Sequence, residues 1–225
     1  MENYINNLLF TYMPHIAFAV FWFGLITRVI KANSTIQAKS TQIFAKDSKW
    51  KGNNLFHYGI IFVFLGHLTL FLPERVYHLV MTTETKRIIA LLAGTIFGTM
   101  AFIGMIILLN RRFRNERVRH NSSFHDYFIL VLLFVEAALG LYSVATSASG
   151  TVSNYAALGE WAQKVITFQP DAGEVIASHS IVYKIHITIG MIIIMIFPYT
   201  KLMHMIVFPV VYFFRSGYLL VRKRP

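Results

Sequence analysis

Cysteine is missing from all 225 residues. That excludes a disulfide framework, a thiolate-held iron–sulfur cluster and a covalently attached c-type haem, each of which takes sulfur from the chain itself. Chemistry of those kinds has to come from a partner. Internal repeats, low-complexity tracts, a Walker loop and a dinucleotide fingerprint are absent as well, so no nucleotide-binding loop carries the function. Acidic residues are scarce, ten against 21 Lys and Arg, for a formal net charge of +11. A nucleic-acid protein gathers such an excess on one folded face. Here the cations fall in alternate loops between apolar runs, so nucleic acid is not the expected partner.

What the chain has in abundance is apolar sequence: 56% of its residues are hydrophobic and its mean hydropathy is +0.54. A soluble domain of this length is not so apolar. Five runs are near the 20 residues a bilayer crossing needs, at 8–30, 54–72, 88–109, 126–146 and 180–203. Lipid offers no partner to backbone amides, and the runs are too long and uniform for barrel strands, so all five are expected to be helices. The first run has no basic stretch before it and no small-residue cleavage pattern after it, and is expected to be retained. The expectation is an all-α, polytopic five-helix membrane bundle, a single membrane-embedded domain over 1–225 with a tail from about 205.

Orientation follows from the cations. Residues 28–53 carry six, the 110–125 loop five and the stretch from Lys201 five more, against only Arg75, Lys86, Arg87, Lys164 and Lys184 on the other side. That asymmetry predicts an N-terminus outside and a C-terminus in the cytoplasm. The long segment 147–179 opens with TSASGTVSN and continues as YAALGEWAQKVITFQP. Leu158, Trp161, Val165 and Ile166 fall roughly on one helical face there, as in an amphipathic helix lying on the outer membrane surface, although a plain connector fits too.

Four of nine histidines lie within or at the cytoplasmic end of the second and fifth apolar runs, His57 and His67 in the second, His186 in the fifth and His204 just past it. Ionisable groups at such depth are costly and mark functional sites. At 1.5 Å per residue, His57 and His67 are about 15 Å apart along their helix, and His186 and His204 about 27 Å along theirs. Three crossings separate the two runs, which makes the helices antiparallel. His57 then comes level with His204, and His67 with His186. Two facing imidazoles per level suit a six-coordinate haem, and two such levels predict two haem b groups on the order of 20 Å apart.

The surroundings suit a flat guest. Gly59, Gly66 and Gly190 near these histidines are candidates for letting a porphyrin approach the backbone, though glycine also serves plain helix packing. Lys184 is a candidate propionate partner for the outer haem, and Arg28, Arg111 and Arg112 for the inner one; each equally fits a role in snorkelling or topology. Glu136, in mid-span, is expected to be protonated or paired, through a structural hydrogen bond or in proton handling. His15, His78 and His179 read as interfacial, His120 and His125 as solvated, and VVYFFRSGYLLVRKRP as either a membrane-surface anchor or a docking surface.

NLFHYGIIFVFLGH, EWAQKVITF, YKIHITIGM and IFPYTKLMHMIVFPVVYF together resemble the gamma subunit of bacterial respiratory nitrate reductase, over the whole chain and in the same order. The resemblance implies a cytochrome b anchor in the bacterial cell membrane, with His57 and His204 holding the proximal haem and His67 and His186 the distal one. It implies that membrane quinol is oxidised near the distal haem and protons are released outside. Electrons would pass inward to an iron–sulfur beta subunit and a molybdenum-containing alpha subunit, where nitrate is reduced. It also places Lys86, in TTETKR, by the quinol site; from sequence alone Lys86 is a boundary cation. Two rival readings stand beside it: a related cytochrome b subunit of a sulfite- or heterodisulfide-reductase-type complex, and a haem-free, histidine-dependent proton transporter.

Overall fold

A computed structural model describes residues 2–32 and 49–206, which are helical apart from short turns. In chain order the helices are α1 Glu2–Asn7, α2 Met13–Ala32, α3 Lys49–Leu68, α4 Glu74–Tyr77, α5 Thr83–Arg114, α6 Glu116–His120, α7 Phe124–Ala148, α8 Val152–Ile166, α9 Ala172–Ala177 and α10 Ile181–Ile196. Five stretches are long and apolar enough to cross a membrane: Tyr4–Lys31, Gly52–Phe71, Thr83–Arg114, Phe124–Ala148 and Ile181–Tyr199. All five expected spans are therefore present. The chain is a multi-pass membrane protein. Segment 33–48 and residues 207–225, including most of the proposed docking tail, lie outside the described residues.

Local chemistry sets the helix ends. The Thr82 hydroxyl accepts the Thr85 backbone N–H at 3.2 Å and starts α5, and Arg111, Arg112 and Arg114 crowd its last turn, where cations favour the exposed carbonyls. At 32 residues, α5 runs about 48 Å and outreaches a hydrocarbon core of about 30 Å. The helices pack in the order α3 on α5, α5 on α7, α7 on α10 and α10 on α2. The α3–α5 approach is the tightest. A Cβ on Gly59 would stand 2.7 Å from the Phe97 carbonyl oxygen, and one on Gly104 would stand 2.8 Å from the Phe56 Cα.

The first span begins irregularly for a reason visible in its sequence. Pro14 has no N–H to give the Phe10 carbonyl, and the turn Leu8–Tyr12 before α2 widens to π geometry. The freed carbonyl accepts the Trp161 indole N–H at 2.8 Å. Phe10, Trp161, Ala162, Val165, Ala172 and Ile176 form a buried cluster around that bond, with Leu158 packed against it. Leu158, Trp161 and Val165 thus share a face as expected, but Ile166, one residue past Val165 and so turned well round the helix, is 43% exposed. Lys164 pins the following loop through Asp171 at 2.6 Å and holds that carboxyl below its ordinary range. Trp161→Phe keeps the packing and orphans the Phe10 carbonyl, for an expected loss of roughly 1–3 kcal/mol, readable as a lower unfolding temperature of the detergent-solubilised protein.

The fifth run departs from expectation. An unbroken helix to residue 203 was indicated by hydropathy, but α10 stops at Ile196. Pro198 cannot donate to the Ile194 carbonyl, and the chain tightens into a turn over Phe197–Tyr199. Thr200 is then extended, its hydroxyl accepts the Leu202 N–H at 3.2 Å, and a second short turn, Lys201–Met203, delivers His204. His204 therefore lies beyond a break rather than in the fifth helix, and a straight-helix rise does not measure its distance from His186.

Candidate functional site

α3 and α10 are not a closely packed pair, yet the histidines of α3 meet His186 on α10 and His204 on the turn beyond it. The His57 and His204 ring centres are 6.1 Å apart with planes at 65°, and those of His67 and His186 are 6.1 Å apart at 53°. The structure brings together the two pairs expected from helix geometry.

Backbone carbonyls orient three of these rings. His57 Nδ1 lies 2.8 Å from the Asn53 carbonyl, His67 Nδ1 2.8 Å from that of Val63 and His204 Nδ1 2.5 Å from that of Lys201. A carbonyl only accepts, so Nδ1 carries the proton and Nε2 is left with a lone pair. Among the described residues no hydrogen bond engages those Nε2 atoms. His186 differs. Its Nδ1 is buried, makes no hydrogen bond, and stands 3.0 Å from the Glu136 Oε1.

This donor set fits a metal held between two imidazoles. A metal–imidazole bond is about 2 Å long, so two in line with a ring at each end place ring centres about 6 Å apart. Gly66, beside His67, has nothing within 4 Å of where its Cβ would be, which leaves the backbone open to a flat group.

The other candidate residues fare unequally. Gly59 does not serve such a guest: two residues from His57 is a turn of about 200°, and it faces the α5 backbone at Phe97 and Ala101. Gly190 faces Glu136, whose Oε1 would be 3.2 Å from an added Cβ. Gly140, unmarked in the sequence, underlies the His186 ring at 3.3 Å. Arg28 donates to the Pro198 carbonyl at 2.5 Å, and Lys184 to that of Ala177 at 2.9 Å. Arg112 faces Asp126 at 3.6 Å and Ser122 at 3.2 Å, and Lys201 pairs with the same Asp126. Arg111 is buried near the end of α5. Arg28, Arg112 and Lys184 thus help fasten helix ends.

Lys86 is a different matter, since it is only 8% exposed. Its Nζ donates to the Thr69 carbonyl at 3.0 Å, two residues past His67, and lies 3.9 Å from the centre of the Tyr77 ring. Burial and the neighbouring Tyr77 push the Tyr155 phenol up to about 12. Lys86, Tyr77 and Tyr155 thus form a polar cluster at the His67 end of α3. Neither tyrosine was signalled by the sequence. His15 reaches the Thr11 and Val165 carbonyls at 2.7 and 2.9 Å and so ties α2 to α8, while His78 meets the Thr83 hydroxyl at 2.9 Å and His179 the Asn154 carbonyl at 3.2 Å.

A family model described as nitrate reductase gamma subunit matches residues 6–224. The chain belongs to that family, whose members are cytochrome b-type membrane subunits. It is 34% identical over 226 residues to the respiratory nitrate reductase 2 gamma chain of Escherichia coli (strain K12), covering 100% of both. It is 31% identical over 222 residues to the nitrate reductase gamma chain of Bacillus subtilis (strain 168), covering 97% of this chain and 99% of that one. A more distant relative is the Hdr-like menaquinol oxidoreductase cytochrome b-like subunit of Archaeoglobus profundus, 28% identical over 161 residues, 69% of this chain and 46% of that protein. This gamma subunit is an electron-transport component that works with the other subunits of a nitrate reductase complex.

Proposed function

We propose that this chain is the di-haem, quinol-oxidising subunit of a respiratory nitrate reductase. His57 and His204 hold the haem proximal to the cytoplasmic subunits, and His67 and His186 the distal one. The observation that carries the reading is the pair of 6.1 Å histidine contacts that link α3 to α10 and to the turn beyond it, in a chain that aligns end to end with nitrate reductase gamma chains. Haem b bound at both sites supplies one-electron carriage between a two-electron donor and the partner subunits.

The chain's own residues do the rest. The carbonyl-anchored Nδ1 atoms hold His57, His67 and His204 in one tautomer with Nε2 directed away from the backbone. Two imidazoles at each site leave no coordination position open, so nitrate is not reduced on this chain. That step belongs to the molybdenum-containing alpha subunit, reached through the iron–sulfur beta subunit. At the His67 end, Lys86 supplies a cationic donor for a quinol oxygen, held at its post by Thr69 and Tyr77. Oxidation of the quinol sends two electrons inward and two protons to the side poor in Lys and Arg, which is the outside. Each electron moved inward against the membrane potential stores roughly 2.3 kcal/mol per 100 mV.

The heterodisulfide-type alternative is supported over only 69% of the chain, and at lower identity than the full-length gamma chains. A reduced-minus-oxidised spectrum of the purified complex is expected to give two b haems per gamma chain; a spectrum without haem would leave the proton-transporter reading in its place. Lys86→Ala removes a charged donor worth about 1.5–3 kcal/mol, so quinol-driven haem reduction slows roughly tenfold to a hundredfold while haem content stays at two. Stopped-flow with a reduced quinol analogue measures it.

A further inference from the structure

The four histidines are not oriented alike. Three take a backbone carbonyl at Nδ1, three or four residues back on their own turn. His186 has instead a carboxyl from another helix, Glu136 of α7, with Oε1 at 3.0 Å. Among the described residues its Nδ1 and the second carboxyl oxygen, Oε2, are both buried without a hydrogen bond, one a ring nitrogen that can donate and the other an acceptor. Leaving such atoms unpaired costs about 1–3 kcal/mol each, which favours closing the contact. Two glycines make room for it. Gly140 lets the His186 ring lie against α7, and Gly190 leaves the space that the carboxyl occupies.

We propose that Glu136 is the positioning residue of the distal site, accepting the His186 Nδ1 proton so that Nε2 faces the iron. Its second effect is to make that imidazole a stronger donor than its three carbonyl-anchored counterparts. A carboxyl oxygen accepts in either protonation state, so the orienting role does not depend on the charge of Glu136. Carboxylate partners behind a ligating histidine fix its tautomer and raise its basicity. A more basic imidazole favours the ferric state and lowers the distal haem's potential. The inference rests on the two-haem reading above.

The test is a potentiometric titration of the b-type absorbance in the assembled complex, for Glu136→Gln, Glu136→Leu and Gly190→Ala. Leu removes the acceptor, Gln keeps one in the form of an amide, and the added methyl at position 190, 3.2 Å from Oε1, pushes the carboxyl off by a few tenths of an ångström without removing it. The distal potential is expected to rise in all three, most in Leu and partway in Gln, with the proximal potential unmoved. Should the Leu variant fail to assemble, Gln and Gly190→Ala give the answer between them. Two intact haems with an unshifted distal potential in Gln and Gly190→Ala would overturn the inference alone. A shift in Gln without one in Gly190→Ala would also overturn it, because the effect would then be through-space charge rather than contact. Fewer than two haems in the unaltered complex would instead sink the di-haem reading beneath it.

Discussion

Alanine at His186 is expected to leave one b haem per gamma chain, and alanine at His204 to leave the other one. Each substitution removes one of two imidazoles from a site whose ring centres are 6.1 Å apart, and touches neither ring of the other pair. A single remaining imidazole gives half the ligand set in a bilayer that offers no replacement. Haem content by pyridine haemochrome should fall from two to one in both variants, and quinol-dependent nitrate reduction should be lost in both. The variants should differ in what quinol can still do. Without His204 the distal site survives, and quinol still reduces it; without His186 quinol reduces nothing rapidly. A chain that kept both haems in either variant would refute the pairing.

Valine at Gly59 is expected to cost both haems at once, although Gly59 faces neither. Its Cβ would meet the Ala101 backbone N–H and, at 2.7 Å, the Phe97 carbonyl of α5. Those are backbone atoms in the middle of a 32-residue helix, so relief comes only from moving α3. Overpacking of this kind costs typically 1–3 kcal/mol or more. A displaced α3 carries His57 and His67 away from both partners together. Gly66→Ala is the contrast, since among the described residues no neighbour lies within 4 Å of an added Cβ there. It should spare the α3–α5 packing and the proximal haem, and perturb only the distal one. Haem content and the unfolding temperature, measured side by side, separate the two cases.

Gly59 and Gly66 also show what was legible in the sequence and what was not. Long apolar runs were sufficient for five spans, and the antiparallel order of the second and fifth for which histidines come level, although the helical rise did not hold past Pro198. The packing partners were not legible. Gly52, Gly59 and Gly66 repeat at seven-residue intervals on one stripe of α3, yet Gly52 and Gly59 meet α5 and Gly66 meets nothing, since divergence of two helices is a tertiary property. That Gly59 cannot share a face with His57 was readable from the 200° turn between them. Glu136 stood out as a buried acid, but its partner depended on the α7–α10 register, which no local pattern encodes. Hydropathy overran the end of α10 because it averages over Pro198, whose effect lies in a missing backbone proton.

The break at Pro198 makes the two ends of the seam mechanically unlike. His67 lies in the last turn of α3 and His186 near the start of α10, both in regular helix. His204 sits on a short strap, buckled by Arg28 at the Pro198 carbonyl, by the Thr200 hydroxyl and by the Lys201–Asp126 pair. Beside these polar ties, Met203 of the strap is buried against Leu25, Phe21 and Phe197. One end of the seam is thus set by the axes of two long helices. The other is set by the side-chain contacts that hold a short strap in place.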